Sequence, residues 1–81
     1  MSDILLKLQP LFRDIFDNPN LEISEGSSAK NVKGWDSLAH ISIISAIEQE
    51  FHIRFTLREL ERLTEVGDMV RLLKTKMNNE N

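Results

Sequence analysis

Cysteine is absent from the 81-residue chain, which excludes a disulfide framework and a thiolate metal site. The two histidines, His40 and His52, are too few for a histidine-rich centre, so no metal ligand is assigned. No apolar run approaches the ~20 residues of a bilayer span, and the start Met1-Ser2-Asp3-Ile4 has no basic stretch of the kind that opens a signal peptide. No membrane partner and a cytoplasmic location are therefore expected. A strong excess of one charge sign is also missing. Thirteen acidic against 10 basic residues give a net charge of −3, which disfavours nucleic acid and anionic surfaces. There is no phosphate-cradling glycine loop and no paired acid and base, so no catalytic residue is assigned.

What is present is helical periodicity. Ile4, Leu5, Leu8, Leu11, Phe12, Ile15 and Phe16 follow the three-and-four spacing of one helical face, predicting a first helix over 3–17. Pro10 falls inside it, and because the register continues through the proline a kinked helix is expected, with a break near 7–9 as the alternative. Asp17-Asn18-Pro19-Asn20 reads as a stop and turn. A long irregular connection follows, anchored by Leu21, Ile23, Val32 and Trp35, with Glu25-Gly26-Ser27-Ser28 as its mobile part. Trp35 is expected to seal this loop with its indole N–H near water.

At Asp36 the pattern turns helical again. Asp36 is a strong N-cap, and Ser37 then lies in the first turn of a helix over 36–51, with Gly34 giving the approaching backbone freedom. Rotation at 100° per residue puts Ile43, Ile44, Ile47 and Phe51 on the core face. Ser37, Leu38, Ile41, Ser42, Ser45 and Glu48 share the other. His40 is read as a partly buried, hydrogen-bonded side chain. A base role for it is disfavoured, since a helix does not aim a ring three residues on at Ser37. Thr56-Leu57-Arg58-Glu59 forms a capping box opening a short helix over 57–63, with Leu57, Leu60 and Leu63 as one stripe. Thr64 is the expected cap of the last helix, 65–77, whose Val66, Met69, Val70, Leu73 and Met77 close the bundle. Lys74 and Lys76 complement its negative end, and residues Asn78 to Asn81 are expected to fray.

These elements predict one domain over 1–81, all-α, a small four-helix bundle of three longer helices and one short third helix, with a long loop between the first and second helices. The run Asp36-Ser37-Leu38, backed by Ile41, Ile44, Ile47, Glu48, Glu50 and Phe51, resembles an acyl carrier protein. The resemblance covers essentially the whole chain, and it implies the same bundle. It also implies that Ser37 carries a covalent 4′-phosphopantetheine arm, derived from coenzyme A, whose thiol holds acyl cargo as a thioester.

The implied partners are a phosphopantetheinyl transferase and an acyl-loading ligase, synthase or acyltransferase, docking on Asp36, Leu38, Ile41 and Glu48 of a monomeric, non-catalytic carrier. The family's second helix is commonly acidic where this chain has Ala39 and Ser42, and His40, His52, Arg54, Arg58 and Arg62 lie nearby. That departure points to a specialised pathway with a dedicated ligase or acyltransferase. Ile43, Ile47, Phe51, Phe55 and the last helix are the expected lining for an inserted acyl chain. The alternative reading is a small helical protein-interaction module in which Ser37 is only a helix-start residue.

Overall fold

The computed structural model describes residues 3–78; of the end expected to fray over 78–81, Asn78 instead closes the last helix and residues 79–81 lie outside the described residues. Four helices follow one another: α1 (Asp3–Ile15), α2 (Ser37–Phe51), α3 (Leu57–Leu60) and α4 (Val66–Asn78). Among the described residues there is no strand, only an isolated bridge between Ser28 and Glu65. The bundle is all-α, with three longer helices, one short third helix and a long first connection, as the periodicity predicts.

α1 is amphipathic because Ile4, Leu8 and Phe12 recur every four residues and bury together. It runs unbroken through Pro10. Leu6 and Pro10 both lie on the exposed side, where water reaches the carbonyl that the missing proline N–H leaves free. The helix stops at Ile15, two residues short of expectation. Asp17 adopts a left-handed conformation (φ 50°). Its N–H then reaches the Asp14 carbonyl at 3.2 Å, while that of Asn18 reaches the Arg13 carbonyl at 3.0 Å. That pair of bonds closes a helix end by satisfying its free carbonyls.

The first connection is strapped down. Gln9 donates from Nε2 to the Leu21 carbonyl at 2.6 Å and accepts the Ile23 N–H on Oε1 at 3.0 Å. Arg13 Nε donates to the same Leu21 carbonyl at 2.8 Å. Ile23, Val32 and Trp35 are buried, in line with their expected anchoring role.

Glu25-Gly26-Ser27-Ser28, expected to be the mobile part, is instead tied to α4. Ser27 and Ser28 are buried. The Ser27 and Glu25 carbonyls accept the first-turn N–H groups of Val66 and Gly67 at 2.9 and 2.8 Å. These loop carbonyls satisfy helix donors that otherwise have no partner. Gly67 permits the approach, since a methyl group there would stand 3.0 Å from the Glu25 carbonyl oxygen.

α4 therefore starts differently from expectation. The Thr64 hydroxyl does not accept from the helix. It donates to Asp68 Oδ2 at 2.9 Å, and that carboxylate also accepts the backbone N–H groups of Thr64 and Glu65. Val66, Met69, Val70 and Leu73 bury, while Met77 sits at the exposed margin. Lys76 pairs with Glu59 at 2.9 Å, tying α4 to α3.

The capping box of α3 is present, with Thr56 Oγ1 accepting the Glu59 N–H at 3.1 Å and Glu59 Oε1 accepting the Thr56 N–H at 2.8 Å. The helix lasts only to Leu60. Leu57 is accordingly 77% exposed while Leu63, beyond the helix, is buried. The three leucines do not form a single core stripe, because one turn of helix cannot carry a stripe seven residues long. α1 packs on both α2 and α4. Ile43, Ile47 and Phe55 are buried in the shared core, with Phe51 half-buried beside them.

Candidate functional site

The site is the loop-to-helix turn at the start of α2. Gly34 adopts φ 90°, a conformation costly for any residue with a Cβ. Asp36 is extended (φ −106°, ψ −170°), and its Oδ1 accepts the Ala39 N–H at 2.8 Å. This is the N-cap geometry that the sequence predicts, and it starts the helix at Ser37.

Ser37 is the first helical residue and is exposed, and among the described residues no hydrogen bond uses its hydroxyl. Its backbone N–H and that of Leu38 belong to the first turn, which has no intrahelical acceptors, so the local potential is positive and favours an anionic group. On the preceding side, residues 29–36 line an open depression.

Leu38 and Ile41, 76% and 62% exposed, flank Ser37 on the outer face of α2. Asp36 is exposed with them. Glu48, the fourth residue of the expected docking set, is set apart. It is half-buried near the other end of the helix, and its Oε2 accepts the Phe55 N–H at 2.9 Å, pinning the chain that leads into α3. Only Asp36, Leu38 and Ile41 therefore gather around the serine.

His40 is half-buried and hydrogen-bonded as expected, but its partner was not read from the sequence. The Trp35 indole N–H donates to His40 Nδ1 at 3.1 Å, and Trp35 is 6% exposed. The indole N–H is thus directed at a histidine inside the fold, not at water. Counted from the Asp36 cap, the two residues stand at the positions where an apolar pair ordinarily staples the entering chain to the first turn. That spacing was the available signal.

Two carboxylates elsewhere are held below their ordinary range. Glu59 is stabilised as an anion chiefly by the Thr56 backbone N–H, then by Lys76. Asp68 is held chiefly by the Glu65 backbone N–H, with Thr64 and Arg71 adding to it against a smaller desolvation penalty. Both serve helix starts, far from Ser37 in sequence. Among the described residues no cluster of His, Cys, Asp or Glu could hold a metal ion, and no helix is long and apolar enough to cross a membrane.

Comparison with known proteins shows the family and the fold. The family model described as "Phosphopantetheine attachment site" matches residues 7–73. An acyl carrier protein of Caulobacter vibrioides is 30% identical over 76 residues, covering 94% of this chain and 97% of that one. The non-reducing polyketide synthase pkdA of Emericella nidulans is 32% identical over 75 residues, 93% of this chain, which spans only 3% of the synthase. The solution structure of a holo acyl carrier protein from Geobacter metallireducens superposes with a TM-score of 0.88 at 34% identity, covering 98% of this chain and 91% of that chain.

Proposed function

The chain belongs to the family of carriers with a phosphopantetheine attachment site, and on that premise we propose that Ser37 is the residue that bears the arm. The 4′-phosphopantetheine group supplies a terminal thiol on which acyl cargo is held as a thioester. The protein itself is the carrier, and the chemistry on the cargo belongs to other enzymes.

One observation carries the assignment: Ser37 presents an exposed and uncommitted hydroxyl at a rigid, capped helix start. In the modification step its oxygen bonds to the pantetheine-side phosphorus of coenzyme A. The bond from that phosphorus to the 3′,5′-ADP portion breaks, and the hydroxyl proton passes to a base of the transferase. Asp36 contributes by fixing the turn, its Oδ1 accepting the Ala39 N–H. The positive helix end favours the phosphodiester that results.

Leu38 and Ile41 are the contact pair for the transferase and for the enzyme that loads cargo. Burying two such side chains contributes roughly 1.5–3 kcal/mol each at full desolvation. Charge is sparse at this end of the helix: the Asp36 cap is acidic, and the first turn of α2 holds no acidic residue. An interface led by apolar contact favours a dedicated ligase or acyltransferase in a specialised pathway, selected by shape more than by electrostatic steering. A monomeric, cytoplasmic carrier accords with a net charge of −3 and the absence of cysteine.

The test is the intact mass of the protein before and after incubation with coenzyme A and a purified broad-specificity phosphopantetheinyl transferase. A gain of one phosphopantetheine is expected, and Ser37→Ala should show none while keeping its helical content. No gain in the folded wild-type protein would leave Ser37 as no more than a helix-start residue.

A further inference from the structure

Trp35 and His40 bracket Ser37. The indole nitrogen only donates, so the Nδ1 that receives it at 3.1 Å bears a lone pair and the ring proton of His40 sits on Nε2. The two ring planes are inclined by only 26°, with centroids 6.1 Å apart, an edge-to-edge arrangement that suits a bond into the in-plane lone pair. From its other side Trp35 is held by α1, edge-on to Phe12 at 5.5 Å and tilted against Phe16 at 6.0 Å. The segment from Asp36 to Ala39 is therefore clasped at both ends. One end is fixed to the core through the indole, the other to α2 through the imidazole.

An apolar staple would hold the same two positions by contact alone. The hydrogen bond adds direction. It also makes the arrangement all-or-none, because a buried indole N–H without an acceptor is costly and is relieved by moving toward water. Such a movement would carry Gly34 and Asp36 with it and reorient the first turn.

We propose that His40 is a positioning residue for the modification of Ser37: by accepting the Trp35 indole N–H it holds the loop-to-helix turn so that the Ser37 hydroxyl is presented to the transferase. The inference rests on Ser37 being the attachment residue.

His40→Leu removes the acceptor at similar size, and His40→Asn restores one, since Asn Oδ1 and His Nδ1 are both bonded to Cγ. Each is assayed with coenzyme A and the purified transferase, reading kcat/KM by intact mass, helical content by circular dichroism, and the indole N–H by proton–nitrogen correlation spectra. His40→Leu is expected to lose about fivefold or more in kcat/KM with unchanged helical content and a faster-exchanging indole proton. His40→Asn should return kcat/KM to within about twofold of wild type and slow the exchange again.

Wild-type kinetics in His40→Leu would overturn the proposal. So would a failure of His40→Asn to recover the rate once its indole proton is again protected. Should His40→Leu not fold, Trp35→Phe, which keeps an aromatic ring and deletes the N–H, leaves the turn held by contact alone and is expected to lose kcat/KM as well; unchanged kcat/KM in that variant would overturn the proposal. A failure of the Ser37 assignment would look different: no mass gain in wild type, or the same gain in Ser37→Ala.

Discussion

Replacing Asp36 with alanine isolates the feature that starts α2. In the folded protein its Oδ1 accepts the Ala39 N–H at 2.8 Å, and the side chain is exposed, so little packing is lost with it. Loss of an N-cap bond costs about 1 kcal/mol. Loss of a carboxylate at the positive end of a helix costs about 0.3–1 kcal/mol more at low salt. A total near 1.5 kcal/mol, in a domain of this size, lowers Tm by about 6–12 °C.

Asp36→Asn separates the two contributions, because its amide oxygen still accepts while the charge is gone. Its loss should be limited to the dipole share, about 0.3–1 kcal/mol. Thermal unfolding followed by circular dichroism at low ionic strength, with urea titrations at fixed temperature, measures both. An Asp36→Ala variant within about 1 °C of wild type would refute the capping argument. If Asp36→Asn proved as damaging as Asp36→Ala, the charge and not the hydrogen bond would be what starts the helix.

His52 closes α2 in the left-handed conformation, φ 56° and ψ 48°, with its backbone N–H on the Glu48 carbonyl. Glycine adopts this conformation without steric cost, though it has more freedom to lose on folding, so His52→Gly should stabilise by about 0.5–1 kcal/mol; an unchanged or lower urea midpoint would contradict it. Glu59 and Asp68 are both held below their ordinary range, by the backbone N–H groups of Thr56 and Glu65 first of all. Their stabilisation is complete above the unfolded-state values and is lost as pH falls through the lower folded-state values, so Tm should decline as pH drops below about 4. The double variant Glu59→Gln with Asp68→Asn should start from a lower Tm and show a flatter acid limb, and an equally steep limb would place the titration elsewhere.

Local rules made much of the site legible. Gly34, the Asp36 cap, the exposure of Ser37, Leu38 and Ile41 and the Thr56–Glu59 capping box all depend on residues within a few positions of one another, where backbone geometry and hydrogen-bond chemistry leave few choices. The Glu25–Ser28 segment departs from the sequence expectation for the opposite reason. Its composition is that of a free loop, and what holds it is a set of backbone carbonyls meeting α4 some 40 residues later, which no side-chain pattern announces. Thr64 departs from its expected capping role for the same reason: its hydroxyl turns to Asp68, and the first N–H groups of α4 are met by the Ser27 and Glu25 carbonyls, which only the packed loop brings there.

The sequence by itself thus determined the four helices, the inward faces of the three longer ones and the serine at the head of the second, since periodicity and capping are short-range properties of the chain. Tertiary structure decided the rest. It set Glu48 to pin the entry into α3, Gln9 and Arg13 to strap the first connection, and His40 to receive the Trp35 indole N–H. Each of these donors and acceptors has several possible partners in the unfolded chain. Packing of the helices removes water from all but one.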